Sequence, residues 1–180
     1  MGGELTEDTR QHHGKHDAKH AWWADHGVAV HRAKLDFGDY MAEGSNVSVD
    51  TKRNVDEIAQ NIGGKSHGRF RRECERAAAA GYRLVVLVEN GEGIADVGDL
   101  LGWTNGHCRA CSFAHARKCR PHDPRGKCAK HGTMKPIQGD RLARAMSTMS
   151  ARYGVCFRFC APEESARTVC ELLGVDYDDE

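Results

Sequence analysis

The chain contains 180 residues, of which 26 are basic and 26 acidic, so its formal net charge is zero. This length suffices for about one domain with a sizeable core, and the neutral total excludes an overall electrostatic field that would draw the protein to nucleic acid. No stretch approaches the ~18–20 apolar residues of a membrane span, and residues 1–7 lack the basic start and apolar run of a signal peptide, so we expect a cytoplasmic protein of bacterial or phage type, without membrane contact.

The first predicted elements are a short strand over residues 5–10 and a helical segment over residues 11–26. His12, His16 and His20 recur in that segment at i, i+4 and i+8, so they share one helical face. No acidic or cysteine partner completes a metal-binding set there. The sequence therefore favours a solvated polar face over a metal site.

Three predicted strands come next in the chain. The first covers residues 27–35, and a short one over residues 37–41 contains Asp39. A turn signal over residues 44–46 separates it from residues 47–50, where valines alternate with Ser48 and Asp50. This period of two places the valines toward the core and Asp50 toward the other side.

Asp39 and Asp50 would approach each other if their strands pair in antiparallel fashion near this turn. Two carboxylates can then share one Mg²⁺, a cation that prefers oxygen ligands. Lys52 would steady a metal-bound water and offset negative charge that develops on a phosphate. The alternative is that both aspartates are solvated strand-end residues.

The remaining elements alternate between helix and strand. Helices are predicted over residues 55–62, with Asp56 in the first turn where the helix dipole favours a carboxylate, and over residues 70–80. Residues 84–88 are continuously apolar, which is typical of a strand covered on both faces, and Glu89 follows them. Further elements are predicted over 97–101 (helix), 140–153 (helix), 155–159 (strand) and 162–173 (helix).

This order of elements predicts an α/β fold with a mixed β-sheet flanked by helices. We predict one domain over residues 4–174, interrupted by an insert over residues 103–138 and followed by an acidic tail over residues 175–180. The insert is basic, with eight Lys or Arg and one Asp.

Few large apolar side chains are available to order the insert. Ordering about 25 residues costs roughly 1–2 kcal/mol each in backbone entropy, and each buried apolar side chain recovers only about 1.5–3 kcal/mol. A structural zinc site contributes on the order of 10–16 kcal/mol in finger peptides. We therefore predict that the insert is a zinc-knuckle-like module.

Four cysteines of the insert are the predicted zinc ligands: Cys108, Cys111, Cys119 and Cys128. The first pair has the C-x2-C spacing of a zinc knuckle. Alternative sets combine three of these cysteines with one histidine, chosen from His107, His115, His122 and His131. The remaining interpretation is a flexible basic loop with reduced thiols.

The motifs around the paired aspartates resemble the signature of the XPF/Hef-type nucleases, which runs G-D, a variable gap, E-R-K, three residues and D. Gly38-Asp39-Tyr40 matches its start, Asp50-Thr51-Lys52 its centre and Asp56 its end. Asp50 replaces the family's Glu and Thr51 its Arg, so one phosphate-facing cation is missing. The family's C-terminal helix-hairpin-helix pair is also absent from this chain.

Other segments extend the resemblance over residues 6–173. Asp8-Thr9-Arg10 resembles the D-x-R that ends the family's first strand. Residues 82–90 resemble its central apolar strand, which often ends in an acidic residue, here Glu89. The closing helix, strand and helix of this chain resemble those of the family.

The resemblance implies a restriction-endonuclease-like fold and a Mg²⁺- or Mn²⁺-dependent endodeoxyribonuclease that cuts branched or flap DNA in repair or recombination. It implies that Asp39 and Asp50 bind the cation, that the Thr51 carbonyl adds a ligand and that Lys52 orients the attacking water. It also implies homodimers and, as partners, duplex/single-strand junctions. Further candidates for a second ion or for support are Asp8, Asp56 and Glu89.

Two other functions compete with this hypothesis. A catalytically inactive scaffold would keep the fold and bind DNA, and the missing arginine at Thr51 favours it. A zinc-dependent regulator would contact DNA through the insert alone. Cleavage of a labelled fork with Mg²⁺ or with EDTA separates these hypotheses.

Overall fold

A six-stranded mixed β-sheet organises the part of the chain that the structure, a computed structural model, describes: residues 3–11, 14, 16–123 and 125–178. In chain order the strands are β1 (Glu4–Asp8), β2 (Ala29–Ala33), β3 (Tyr40–Met41), β4 (Val47–Lys52), β5 (Arg83–Glu89) and β6 (Cys156–Cys160). The spatial order is β2-β1-β3-β4-β5-β6. Within these described residues β3 alone is antiparallel to its neighbours.

Helices cover both faces of the sheet. They are α1 (Asp17–Asp25), α2 (Val55–Gly63), α3 (His67–Ala79), α4 (Gly106–Arg109), α5 (Ser112–His115), α6 (Gly139–Tyr153) and α7 (Ser165–Leu173), with 3₁₀ turns at Asp99–Gly102 and Pro162–Glu164. The predicted mixed sheet flanked by helices is thereby confirmed. No helix of the described residues has the length and apolar character needed to cross a membrane.

Strand β5 shows how the two core layers form. Its apolar run is buried throughout, and successive side chains point to opposite faces of a strand. Val86 and Val88 pack with the apolar faces of α2, α3 and α6, whereas Val85 and Leu87 pack with residues of α1 and α7. The continuous apolar sequence of β5 thus follows from burial on both sides.

Strand register brings the predicted site residues to one edge of the sheet. Tyr40 pairs with Val49, and the amide of Asp39 donates to the Val49 carbonyl at 2.7 Å. The amide of Asp8 donates to the Asp39 carbonyl at 2.8 Å. Asp39 therefore lies between the carboxyl ends of β1 and β4, in the position that the hairpin interpretation requires.

Several element bounds differ from the sequence predictions. Helix α1 begins at Asp17, so His16 precedes it, and His12 lies outside the described residues. The solvated histidine face is wrong for His16, which is buried with 7% of its surface exposed, and His20 lies 3.0 Å from Glu7. The predicted helix over 97–101 is a 3₁₀ turn that begins two residues later.

Candidate active site

A polar cleft of about 380 Å³ opens at the sheet edge where β1 and β4 end, beside α3. Its lining includes five of the predicted site residues together with cations and carboxylates that the sequence analysis did not select. The lining residues are Asp8, Arg10, Gln11, Gly38, Asp39, Asp50, Thr51, Lys52, Glu57, Arg69, Glu73 and Arg76.

Asp39 is held by hydrogen bonds to both of its carboxylate oxygens. Oδ2 accepts from the backbone N–H of Thr51 at 2.9 Å and from the Thr51 hydroxyl at 2.7 Å. Oδ1 accepts from the side-chain amide of Gln11. Because each carboxylate oxygen has two lone pairs, these three bonds orient Asp39 and leave one lone pair, on Oδ1, for a cation. Thr51, which replaces the family's arginine, therefore orients the Asp39 carboxylate through two hydrogen bonds.

The backbone conformation and surroundings of Gly38 explain why the G-D motif has a glycine at this position. Its φ is +70°, a conformation that L side chains rarely adopt, and a Cβ there would collide with the Ser48 hydroxyl. Its amide donates to Glu73 of α3 at 3.0 Å. The close approach of Gly38 to β4 sets the position of Asp39 at the start of β3.

Asp50 and Lys52 lie two residues apart on β4 and point to the same side of the strand. Lys52 Nζ donates to Asp50 Oδ1 at 2.6 Å. Asp50 Oδ2 is also 2.6 Å from Nζ, but no donor among the described residues reaches it with hydrogen-bond geometry. Oδ2 is thus ion-paired with the Lys52 ammonium but accepts no well-directed hydrogen bond from the described residues.

Burial governs the electrostatics of this pair. Asp50 is 3% exposed, and burial raises its pKa to about 7 against the opposing effect of Lys52. Burial also disfavours the charge on Lys52, but the carboxylates of Asp50 and Asp39 raise the pKa of Lys52 above its ordinary value. The ammonium is therefore kept, while the negative charge of Asp50 is incompletely compensated.

The donor set of the cleft fits Mg²⁺ or Mn²⁺. Asp50 Oδ2 accepts no well-directed hydrogen bond from the part of the chain that the structure describes, Asp39 Oδ1 retains one lone pair, and both carboxylates line one cleft. Mg²⁺ usually takes one or two carboxylates and completes its shell with waters and phosphate oxygens. In the described residues no three His, Cys, Asp or Glu side chains are grouped to hold a metal ion.

Asp8 holds the guanidinium group of Arg10 in place at the cleft. Its carboxylate accepts from the Arg10 backbone at 3.0 Å and from Arg10 Nε at 2.6 Å. Burial alone would raise the pKa of Asp8, but the bonds from Arg10 hold it below its ordinary value. Arg10 also donates to the Leu35 carbonyl at 2.6 Å, so its guanidinium is fixed beside the carboxylates.

Helix α3 contributes a row of side chains that the sequence analysis missed. Arg69, Glu73 and Arg76 recur at i, i+4 and i+7 and line the cleft together. Their spacing indicates one helical face, but that this face meets the cleft depends on tertiary packing. Glu57 of α2 also lines the cleft and accepts from the Arg53 backbone at 3.1 Å.

The structure does not bring Asp56 or Glu89 into the cleft. Asp56 Oδ1 accepts from the Gly106 amide at 2.7 Å, and its Oδ2 lies 3.3 Å from Arg109 in the insert. Glu89 Oε1 lies 2.5 Å from Lys19 Nζ and accepts from the Ser165 hydroxyl at 2.8 Å. Neither carboxylate is placed for direct contact with a cation between Asp39 and Asp50.

Arg109 links the insert to the nuclease-like core. It donates to both carboxylate oxygens of Glu92, at 2.7 and 2.9 Å, and to Asp56. We expect Arg109→Ala to lower the free energy of unfolding by no more than about 1 kcal/mol, since the pairs are partly exposed. It should nevertheless speed limited proteolysis inside residues 103–138 by about two- to fivefold. The reason is that loss of the Arg109 contacts increases the fraction of molecules in which the insert is open.

A matched control for this anchor is Arg144→Ala on α6, which removes an exposed pair with Asp140. Proteolysis followed by mass spectrometry locates the cuts. Equal cleavage rates of the insert in the two variants would contradict a role of Arg109 in holding it.

The four insert cysteines line one cavity of about 450 Å³ beside α2, together with Asp56, His107 and His131. Gln138 Nε2 donates to Cys108 Sγ at 3.3 Å. The backbone N–H groups of Ala114 and Phe113 lower the pKa of the Cys111 thiol. Burial and the neighbouring cysteines raise the pKa of Cys108.

This arrangement does not confirm the zinc-knuckle prediction. The cysteines surround the cavity, but among the described residues they are not closed into a metal-binding group. Two of the alternative histidine ligands are engaged elsewhere: His115 contacts the Arg109 carbonyl and His122 the Thr104 hydroxyl. His107 and His131 remain at the cavity.

Comparisons with known proteins agree with this architecture. A family model described as ERCC4 domain matches residues 8–172. The structure is similar to XPF from Aeropyrum pernix, with a TM-score of 0.55 and 16% identity over 94% of this chain and 63% of that chain. It is also similar to XPF from Aeropyrum pernix in complex with DNA, with a TM-score of 0.56 and 16% identity over 96% of this chain and 64% of that chain.

The two solved structures share the fold with this protein, and at this identity the likeness carries nothing further. The chain spans less than two thirds of their length. No curated protein matches the sequence.

Proposed function

The chain belongs to the ERCC4 domain family, and from this premise we propose that it is a divalent-cation-dependent endodeoxyribonuclease that cuts branched or flap DNA in repair or recombination. The observation that carries the proposal is the cleft in which Asp39 and Asp50 meet beside Lys52. Within the described residues, the buried Asp50 carboxylate accepts a well-directed hydrogen bond at only one oxygen, and a bound cation would satisfy the other.

Asp39 and Asp50 would hold Mg²⁺ or Mn²⁺ in this proposal. When bound, the cation supplies Lewis-acid polarisation of a phosphate oxygen and a more acidic water. Thr51 and Gln11 fix the Asp39 carboxylate. Lys52 holds Asp50 and contributes a positive charge at the bottom of the cleft.

The reaction is hydrolysis of a phosphodiester. A water oxygen forms the new bond to phosphorus, the bond from phosphorus to the leaving sugar oxygen breaks, and that oxygen takes up a proton. Negative charge grows on the phosphate oxygens in the transition state, where preorganised cations stabilise it. Lys52 and Arg10 are fixed by hydrogen bonds for this task.

Three arginine side chains supply positive charge to the cleft, in which Thr51 replaces the arginine of the family signature. Arg10, Arg69 and Arg76 line the cleft, and guanidinium groups bind phosphate in bidentate fashion. Arg32 instead pairs with Glu7 at 3.2 Å, and Arg53 is a largely exposed partner of Glu57. The proposed phosphate contacts are therefore assigned to the turn after β1 and to α3.

The substrate class is tested by comparing a labelled fork or flap with a linear duplex of the same sequence. The proposal predicts cuts near the branch and slower cleavage of the linear duplex. Binding of the fork without any cut in Mg²⁺ or Mn²⁺ would favour the inactive scaffold.

We also propose a structural Zn²⁺ in the insert, held by Cys108, Cys111, Cys119 and Cys128. The shared cavity and the backbone N–H groups that lower the pKa of Cys111 support it. Four cysteine thiolates are a usual ligand set of a structural zinc site. His107 and His131 are the alternative fourth ligands at this cavity.

The insert is also the proposed DNA grip of a homodimer. Arg117, Arg120 and Arg125 line one exposed groove of the insert, and Lys118 lies 5.8 Å from the Phe113 ring centre. Two such inserts in a dimer would bind two duplex arms. The apolar face of α6 packs in the protomer core, so it is not free for the dimer contact.

Neutralising Arg117, Lys118 and Arg120 together to Gln should weaken binding to every DNA shape alike. It should reduce the slope of log affinity against log salt by up to about 2.7, near ~0.9 for each lost phosphate contact. Binding titrations at several salt concentrations measure the slope, and sedimentation at micromolar concentration measures the dimer.

The matched control neutralises three exposed arginines of α6: Arg141, Arg144 and Arg152. It removes the same charge from another surface. A salt slope in the insert variant equal to that of wild type would remove the insert from the DNA-binding surface, and a monomer in sedimentation would refute the dimer.

A further inference from the structure

A chain of hydrogen bonds connects Asp39 in the cleft to Glu89, outside it. Asp39 Oδ1 accepts from the Gln11 side-chain amide. Gln11 Oε1 lies 2.8 Å from His16 Nε2, and His16 Nδ1 lies 3.3 Å from Lys19 Nζ. Lys19 Nζ in turn lies 2.5 Å from Glu89 Oε1.

From Lys19 to Asp39, each hydrogen bond of this series is donated toward Asp39. A lysine ammonium can only donate, so His16 Nδ1 must accept from Lys19. The proton of a neutral imidazole then resides on Nε2, which donates to Gln11 Oε1. This bond in turn directs the Gln11 NH₂ group to Asp39 Oδ1. The Lys19–Glu89 pair thereby selects the tautomer of His16 and the orientation of the Gln11 amide.

Two polar side chains of this series of hydrogen bonds are buried in the fold. His16 is 7% and Lys19 8% exposed, and a buried ammonium is costly unless it is paired. The His16 ring packs edge-on against Tyr40, the residue after Asp39, at a centroid distance of 6.3 Å. Burial of these groups is therefore tied to the position of the cleft.

The Gln11 backbone is anchored independently. Its N–H donates to the Asp8 carbonyl at 3.0 Å, and its carbonyl accepts from Arg32 at 2.7 Å. With the backbone fixed, the side-chain amide is the part that His16 orients. Loss of the His16 donor would leave the amide free to rotate away from Asp39.

We propose that Gln11, His16 and Lys19 are positioning residues that hold the Asp39 carboxylate in the orientation that binds a divalent cation. Glu89 anchors the far end of this series of hydrogen bonds. This inference rests on the proposed function, since it assigns the cation to Asp39. It gives Glu89 and the histidine segment a role without direct contact with substrate.

The test is titration of Mn²⁺ into metal-free protein, followed by calorimetry. Gln11→Leu keeps the size of the side chain and removes the donor, and Gln11 is half-buried, so the fold should persist. We expect Mn²⁺ affinity to fall by about 10–100-fold, the usual loss when a group that orients a metal ligand is removed.

Two substitutions of His16 separate positioning from packing. His16→Phe removes the donor to Gln11 and should weaken Mn²⁺ binding by about tenfold or more, at the lower end of that range. His16→Gln restores an N–H donor near the position of Nε2 and should bind Mn²⁺ within about threefold of wild type. A purely structural role predicts no such rescue. His31→Phe, an exposed histidine on β2, is the matched control.

Asp39→Asn separates failure of this inference from failure of the proposed function. If Asp39→Asn abolishes Mn²⁺ binding but Gln11→Leu and His16→Phe bind like wild type, the positioning role is overturned and the nuclease proposal stands. If Asp39→Asn binds Mn²⁺ like wild type, both are overturned.

Discussion

We expect Asp39→Asn or Asp50→Asn to remove nearly all DNA cleavage and to leave DNA binding largely intact. An amide oxygen carries no net charge and holds a divalent cation poorly. Loss of a single preorganised electrostatic group costs about 10²–10³ in rate, and loss of the cation should cost more. Single-turnover cleavage of a labelled fork with saturating protein measures the rate, and a filter or gel assay measures binding.

Asp140→Asn is the matched control, because Asp140 is a carboxylate on α6 outside the cleft. It should cut DNA at the wild-type rate. Thermal melting checks the fold, since Asp50→Asn weakens the partner of the buried Lys52. Wild-type cleavage by both Asp39→Asn and Asp50→Asn would show that the site is assigned to the wrong residues.

We expect the double replacement of Cys108 and Cys111 by Ser to remove the proposed content of about one Zn²⁺ per chain, the content of one four-ligand structural site. The insert should then become protease-sensitive over residues 103–138, because its few apolar side chains do not offset the entropy of ordering. Metal analysis of protein purified without a chelator and timed proteolysis measure the two effects.

Cys156→Ser supplies the control, since this half-buried thiol of β6 lies outside the insert. It should retain the Zn²⁺ and the wild-type proteolysis pattern. Wild-type protein that contains no zinc would overturn the zinc proposal and leave Arg109 as the described anchor of the insert.

Local patterns were sufficient to predict the fold class and the family, and both predictions are confirmed. The alternating valines of β4 and the apolar run of β5 both identify strands, but β4 is buried along its whole length and not half-buried as its alternation predicts. The turn between residues 41 and 47 brings Asp39 beside β4. The G-D motif was informative about the family because its glycine is sterically required. Only a residue without a Cβ fits at Gly38, where the backbone approaches β4.

Long-range contacts explain what the sequence did not predict. Asp56 satisfies a spacing motif, but its hydrogen bond to Gly106 crosses 50 residues and arises where the insert folds back on α2. Glu73 and Gln11 reach the cleft through tertiary packing, for which no local pattern exists. The assignment of catalytic roles to Asp39, Asp50 and Lys52 stays a prediction.

The most direct test of the central claim is single-turnover cleavage of one labelled fork by the wild-type protein under two conditions. The proposed site at Asp39 and Asp50 predicts cuts near the branch with Mg²⁺ or Mn²⁺, none with EDTA, and recovery when the cation is restored. Cleavage that persists in EDTA, or a fork that is bound and never cut with either cation, would contradict a metal-dependent nuclease centre in this cleft.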